Sequence, residues 1–396
     1  MSDAPTAPVI TGAEPGSFPH STLAERQPAI IRQVRDASPY GPAQHRALDG
    51  LLRSCTEGVI ADLPAHTDPA DRARWHAWGL ADQVGKSWFE VPWLWAESYF
   101  YRVLLDAVGY FAPGPWQGID PFRPFKYAEL GSPETREELA ALDALQGKSP
   151  EERGRALLHG SLWGNRADLS FQLSAEGAES RDATPGLVAD DSDTLWSLLP
   201  PDGSGTLCLV ADNAGRELVP DLLLTAHLLD GHRIARAVLY VKPWPYYVSD
   251  ATTADVVDAL TRLRSASGAA AEYGDILWSA MADGRLTVRT HPFLASPLPY
   301  SELPDDLRAE FARARLTLFK GDLNYRRLVG DRHWPPTTPF RDVTAYFPGP
   351  VATLRTLKSD VITGLPAATE TALVAAEGQS WRTSGTHALI QVNPGT

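Results

Sequence analysis

Five short apolar runs punctuate the second half of this 396-residue chain, at 206–211, 235–241, 286–289, 316–319 and 351–354. Between them, apolar residues recur at three- and four-residue spacing over 217–229, 253–265 and 303–314, which is the mark of helices. Strand and helix in alternation leave few folds open. Successive strands lie parallel, the crossover helices pack on the faces, and the result is an α/β fold: a three-layer α/β/α sandwich with a mainly parallel sheet. Ligands of such sheets bind outside the carboxyl ends of the strands, so the residues that follow each run carry the functional information.

The first half shows no such alternation. Segments 43–58, 72–85, 93–108 and 132–145 all have helical periodicity, and Asp68-Pro69 and Ser132-Pro133-Glu134 place a capping residue ahead of a proline suited to a first turn. The expected organisation is a flexible Pro-, Gly- and Ala-rich arm over 1–20, a helical N-terminal domain over 21–150 and an α/β/α domain over 151–396. The stretch WFEVPWLWAESYFYR is dense in aromatics, as buried faces are, yet Glu97 and Arg102 within it suggest a face turned towards a polar site.

Acidic residues outnumber basic ones 49 to 36, a formal charge of −13. No general basic field exists to hold nucleic acid or an anionic membrane, so an anionic ligand must be met by a few local cations or by a metal. Cys55 and Cys208 are the only cysteines, too few for a disulfide framework or a thiolate metal site. With no signal-like start and no run of 18 apolar residues, the expected location is the cytoplasm.

The clusters beyond the runs are chemically loaded. The first run leads into Asp212-Asn213 and Glu217, the second into Lys242 and then Ser249-Asp250, and the third into His291-Pro292-Phe293. The fourth gives Lys320-Gly321-Asp322-Leu323-Asn324-Tyr325-Arg326 and the fifth Arg355-Thr356-Leu357-Lys358. A parallel sheet gathers all five on one edge. Asp212 and Asp250 are 38 residues apart, room for one right-handed crossover that sets two strand ends side by side. Two carboxylates with the Asn213 amide oxygen suit a hard or borderline divalent cation, whereas zinc more usually recruits His or Cys. The same residues also suit helix caps and Asx turns, Asp212-Asn213 before 217–229 and Ser249-Asp250 before 253–265.

Lys320, Arg326, Arg355 and Lys358 offer cations for a phosphate; the alternative is surface ion pairing. His291 offers an acid or base, although a lone His before Pro is more often structural. LWGNRADLS either brings Asn165 and Asp168 to the site on a loop or forms an aromatic anchor with a helix cap. There is no Walker A loop, no GxGxxG after a strand, no HExxH and no Gly-x-Ser-x-Gly elbow.

Seven stretches in order, WFEVPWLWAESYFYR, SLWGNRADLS, VADNAGREL, KPWPYYVSDAT, HPF, LFKGDLNYRRLVGDRHW and RTLKSDV, resemble the damage-control phosphatases, also described as acidic-residue methyltransferase-like proteins. The likeness spans residues 88–365, and KGDLNYR and RTxK mark the sugar-phosphate subfamily. The resemblance implies a helical N-terminal part packed on an α/β/α domain. It also implies a metal-dependent phosphatase using Mn²⁺, Mg²⁺, Co²⁺ or Ni²⁺ on a small phosphorylated metabolite such as fructose 1-phosphate. Asp212, Asn213 and Asp250 are then the metal ligands, and Asp322, Asn324, Tyr325, Arg326 and Lys358 the substrate contacts. Glu217 takes the position proposed for S-adenosylmethionine contact. Arg166-Ala167 stands where relatives often have Lys-Cys, and Leu294 follows HPF where Trp is usual, which alters the expected pocket wall.

For phosphoryl transfer the nucleophile is either water activated at the cation or Asp212 itself. Carboxyl methyl transfer from S-adenosylmethionine is a rival reading, but the chain lacks the glycine-rich loop after a first strand that such enzymes generally use. Twelve Trp residues and Leu294 in the pocket wall suggest another, in which the same metal triggers diphosphate loss and cyclisation of a prenyl diphosphate. A non-catalytic binding module is disfavoured, because the presumed ligands all remain.

Overall fold

The computed structural model describes residues 7–164 and 186–395. One sheet holds seven strands, β1 (Leu187–Asp190), β2 (Thr206–Val210), β3 (Arg236–Val241), β4 (Leu286–Thr290), β5 (Leu316–Lys320), β6 (Val351–Thr356) and β7 (Ala388–Asn393). They lie in the order β1-β7-β6-β5-β2-β3-β4. The five expected runs are β2 to β6, all mutually parallel. β7 runs antiparallel to β6 and carries β1 parallel on its outer side. From β2 the chain moves outwards through β3 to β4, then returns to the other side of β2 to lay down β5 and β6. That reversal opens a crevice at the carboxyl ends of β2 and β5.

β1 and β7 are not among the apolar runs, for different reasons. β1 has four residues and is only partly buried. β7 is buried, but Gln391 interrupts its apolar pattern; the amide donates to the Thr363 carbonyl at 2.7 Å and accepts from the Tyr325 hydroxyl at 3.2 Å. A polar residue inside a strand is tolerated when distant partners satisfy it, and such partners are not visible locally.

Strand side chains alternate between two cores. Cys208, Val210, Val238, Tyr240 and Phe319 pack with residues from Ile10 to Phe122, while Leu207, Leu209, Leu239 and Leu318 pack with residues from Leu130 to Trp163 and with the helices Leu218–Asp230, Thr253–Arg264 and Ala269–Ala282. This is the expected sandwich. The helical half, however, is divided between its two faces, because the chain passes from one core to the other between Phe122 and Leu130. The expected boundary at 150 falls inside the helix Pro150–Trp163. Periodicity reveals the buried stripe of a helix, not the face of the sheet that covers it.

The arm also differs from expectation from Ala7 onwards. Val9 bridges Arg332, Thr11 bridges Pro92, and Ile10 is almost wholly buried. Pro and Gly there suppress regular structure without removing the apolar side chains that dock. Asp68 and Ser132 cap as expected, accepting from the backbone of Ala70, Asp71 and Thr135. The expected 72–85 helix splits into Pro69–Ala77 and Leu80–Gln83, because Gly79 between them adopts φ +88°. Among the described residues no helix is long and apolar enough to cross a membrane.

His227 lies buried in the helix Leu218–Asp230. Burial, aided by the Arg153 and Arg233 charges, lowers its imidazole from the ordinary 6.5 to about 4. Folding therefore favours the neutral ring: its contribution is complete above pH 6.5 and is lost as pH falls towards 4. In His227→Leu, the stability difference between pH 7.5 and 4.5, measured by urea unfolding, is expected to shrink by about 2 kcal/mol. An unchanged difference would show that the ring takes up its proton without cost.

Candidate active site

Asp212 lies two residues beyond β2, and Asp250 ends the loop that follows β3. Main-chain bonds hold the two segments together: Asn213 and Asp250 form an antiparallel bridge, Ala251 N donates to the Asp212 carbonyl at 2.8 Å, and Ala214 N donates to that of Ser249 at 2.7 Å. The capping alternative fails here. The following helices start at Leu218, whose N-cap Glu217 makes no side-chain cap bond, and at Thr253, where Thr252 forms a capping box with Asp255. Asp212, Asn213, Ser249 and Asp250 cap neither.

The two carboxylates are 8% and 1% exposed, so water does little to offset their repulsion. Burial raises the affinity of both for protons, and the Asp250 charge adds to this at Asp212. Asp250 Oδ2 is buried and, among the described residues, without a hydrogen bond, with Lys242 Nζ at 3.4 Å. Lys126, from the segment between the two cores, donates to the Asp250 carbonyl at 2.8 Å and to Asp120 and Asp255 carboxylates at 3.0 Å. Asn213 Nδ2 donates to Asp212 Oδ2 at 3.2 Å and Glu217 Oε2 at 2.8 Å, while its Oδ1 accepts from Ser249 Oγ at 2.6 Å. Glu217 Oε1 accepts from Lys358 Nζ at 3.2 Å. Among the described residues no three His, Cys, Asp or Glu side chains cluster as a metal centre, so a cation here would depend on the two carboxylates and the Asn213 amide.

The loop bearing Asp250 is strained. Tyr247 and Val248 take φ of 45° and 66°, the left-handed region that a β-branched residue rarely enters. Such conformations cost about 1–3 kcal/mol each and persist where the surroundings over-determine them. Here the bonds from Asp250 N to the Tyr246 carbonyl at 3.1 Å and from Ala251 N to Asp212 do so.

A cavity of about 270 Å³ opens beside the pair. Asp212, Asn213, Asp250, Glu217, Asp322, Arg326 and Lys358 all line it. The profile of the damage-control phosphatase ARMT1-like domain matches residues 22–374. The chain belongs to that family. The damage-control phosphatase ARMT1 of Danio rerio is 31% identical over 95% of this chain and 94% of its own length, and that of Homo sapiens 29% identical over 96% and 97%. A crystal structure of a DUF89-family protein from Pyrococcus horikoshii is similar with a TM-score of 0.45 at 15% identity, covering 86% of this chain and 93% of that one. The enzyme class is that of a phosphatase hydrolase, as the motifs implied.

Within this damage-control phosphatase, four expected site residues stand behind the cavity wall. Asn324 is fully buried and donates to the carbonyls of Lys320 at 2.8 Å and Ala211 at 3.1 Å, locking the ends of β5 and β2 together. The buried Tyr325 hydroxyl meets Thr363 at 2.9 Å. Arg355, fully buried, holds Asp322 at 2.7 Å. Lys320 pairs with Asp221 at 2.8 Å and bonds the Ser161 carbonyl, facing a void of about 10 Å³ next to Asp212, room for one water. These four position neighbours rather than face the cavity. Apolar runs followed by polar residues announce a strand end, but not which of several consecutive side chains points outwards. Asn165 and Asp168 lie outside the described residues.

Other expectations also shift. Arg102 pairs with Asp71 at 2.8 Å and with Asp106, away from the cavity. Leu294 is buried in the core and forms no part of the wall; its carbonyl accepts from Lys242 and Arg327. His291 caps its own short turn through Phe293 N. Conversely, Phe18, Thr22, Arg26, Trp93 and Tyr247 line the cavity unanticipated as site residues; their four-residue spacing at 18, 22 and 26 was the only sequence signal.

Gly321 opens the helix Gly321–Val329 at φ +81°, and a Cβ there would lie 1.8 Å from Asp212 Oδ2. Gly321→Ala is expected to cost about 2 kcal/mol or more from strain and displacement of that carboxylate. Denaturant unfolding checks this, and a cost under about 0.5 kcal/mol would contradict the packing described.

Proposed function

We propose that this damage-control phosphatase hydrolyses a small phosphorylated metabolite, a sugar phosphate such as fructose 1-phosphate, at the Asp212–Asp250 pair with the help of a divalent cation. One observation carries the reading: two buried carboxylates share a cavity wall, and one oxygen, Asp250 Oδ2, has no hydrogen bond among the described residues. Such a donor set fits a hard ion. Asp212, Asn213 and Asp250 would hold Mn²⁺, Mg²⁺, Co²⁺ or Ni²⁺. A bound ion neutralises phosphoryl oxygens and stabilises the charge they carry during transfer. Ser249 suits Asn213 to this role: a hydroxyl both donates and accepts, so it can partner either end of the carboxamide.

The chain's own residues complete the chemistry. Burial works against the Lys358 ammonium, but Glu217 and Asp212 outweigh it and keep the charge in place. The Lys358 side chain is 44% exposed, free to leave Glu217 for a phosphate oxygen. Burial would raise the Asp322 carboxyl, yet the Arg355 and Arg326 charges win and lower it. Asp322 thus stays ionised and serves as a hydroxyl acceptor. Positioning and charge neutralisation are what phosphoryl transfer asks of a protein.

The rival substrates fare worse. A prenyl tail would lie against Arg26, Glu97, Glu129 and Lys358, and desolvating those charges is costly. For a methyl donor, β2 leads into Asp212-Asn213-Ala214-Gly215 rather than a glycine-rich loop.

Phosphate release from fructose 1-phosphate is expected to vanish on chelation and to return with Mn²⁺, Mg²⁺, Co²⁺ or Ni²⁺. Farnesyl diphosphate is expected to give no hydrocarbon, and S-adenosylmethionine no binding. Asp212→Asn and Asp250→Asn should each lower kcat by roughly a thousandfold. Without divalent ions both should be at least as stable as the parent, since each removes a carboxylate charge that burial disfavours. Chelator-resistant turnover, or variants of near-normal activity, would sink the proposal.

A further inference from the structure

The cavity wall contributed by the helical layer comes from segments outside the sheet edge. Phe18, Thr22 and Arg26 line it at four-residue spacing, as do Trp93 and Glu97 from the helix Trp93–Val108. Thr22–Arg26 is a π-helical turn, a bulge common at functional sites. Trp93 Nε1 donates to Thr22 Oγ1 at 2.7 Å, which fixes the two segments to each other.

Charge pairing singles out two groups here. Arg326 is engaged at all three nitrogens: Nε and Nη2 bond Asp331 at 2.7 and 3.1 Å, Nη1 bonds Glu97 Oε2 at 2.8 Å, and its Cζ stacks 3.4 Å from the centre of the Trp93 ring. Glu97 is 6% exposed; its Oε2 also accepts from the Tyr247 hydroxyl at 3.3 Å, whereas its Oε1 accepts no hydrogen bond among the described residues. The Arg26 side chain forms no ion pair or hydrogen bond with any described residue, yet lines the same cavity. Burial pushes the Glu97 carboxyl up while the Arg326 and Arg26 charges pull it back, which places Arg26 within electrostatic reach of Glu97. Thr22–Arg26 and Trp93–Val108 therefore offer the cavity one uncommitted guanidinium and one uncommitted carboxylate oxygen.

We propose that Arg26 and Glu97 are specificity-determining residues that hold the hydroxyl-bearing end of the substrate. The Arg26 guanidinium donates to one hydroxyl oxygen, and Glu97 Oε1 accepts the hydrogen of another. The inference rests on the phosphate-ester reading above, in which the phosphoryl group lies at Asp212 and Asp250. Neighbouring hydroxyls satisfy both groups, because each hydroxyl donates and accepts. An alkyl chain satisfies neither and leaves a carboxylate and a guanidinium desolvated and unpaired, the arrangement by which sites reject ligands that lack a hydroxyl.

The test measures binding by calorimetry, with Mn²⁺ present, of two non-hydrolysable probes: the phosphonate isostere of fructose 1-phosphate, and hexylphosphonate. The wild type should prefer the polyol probe. Arg26→Met should weaken the polyol probe by about 10- to 100-fold, the worth of a hydrogen bond to a charged group, and change hexylphosphonate less than about twofold. Arg26→Lys should recover part of the preference, and Glu97→Gln should reduce it in the same direction. Equal weakening of both probes, no weakening in Arg26→Met, or a wild type without preference would overturn the inference. Phosphate release from fructose 1-phosphate is followed in parallel. No release with the preference intact overturns the hydrolase reading alone; release with a preference that Arg26→Met leaves intact overturns this one alone.

Discussion

Two carboxylates held together away from water repel one another far more strongly than they would in solvent, and neither can escape by taking a hydration shell. Asp212 and Asp250 are held in this way, and much of the surrounding structure compensates for it. Lys242 sits against one carboxylate and Lys126 grips its main chain from the neighbouring layer. The segment after β2 and the loop after β3 are joined by backbone bonds that leave the side chains no other direction. Strain at Tyr247 and Val248 is accepted in the same loop. A fold seeking stability alone would place apolar residues here; the unfavourable pair is intelligible as a site made for a positive ligand.

The rest of the cavity follows a consistent charge economy. Arg355 holds Asp322, Arg326 is shared between Asp331 and Glu97, and Asp221 takes Lys320. Each of these cations is nearly or fully buried and answered in full. They set the direction and ionisation of the carboxylates that face the cavity, and leave the exposed groups, Lys358 and Arg26, able to move. Walls whose buried cations are already paired, with a few mobile charges besides, suit a site that must release an anionic product as well as bind an anionic substrate.

Much of this was legible in the sequence. Apolar runs mark buried parallel strands because both faces of the sheet are covered, and the five parallel strands β2 to β6 lie within two residues of the runs at either end. The Asp212–Asp250 pairing followed from one crossover. What stayed hidden depends on long-range contact. Gln391 conceals β7 because Tyr325 and Thr363 satisfy it from 66 and 28 residues away. In KGDLNYR every polar residue looks like a site residue, but helix geometry sends Asp322 and Arg326 to the cavity and Asn324 and Tyr325 inwards. Arg26 was illegible as a site residue because the four-residue spacing of 18, 22 and 26 marks a shared helical face without saying what that face meets.

The grip of Lys126 on the Asp250 carbonyl joins residues 124 apart, and that of Asn324 on Ala211 joins residues 113 apart. Closing loops of that length is slow, because entropy must be lost before the contact returns anything. During synthesis the helical half emerges well before the strands that complete the cavity. Asp212 and Asp250 can therefore remain hydrated, and their repulsion harmless, until most of the chain has left the ribosome. The cavity is a late product of folding, and a truncated or stalled chain would carry some of its lining residues without ever assembling them.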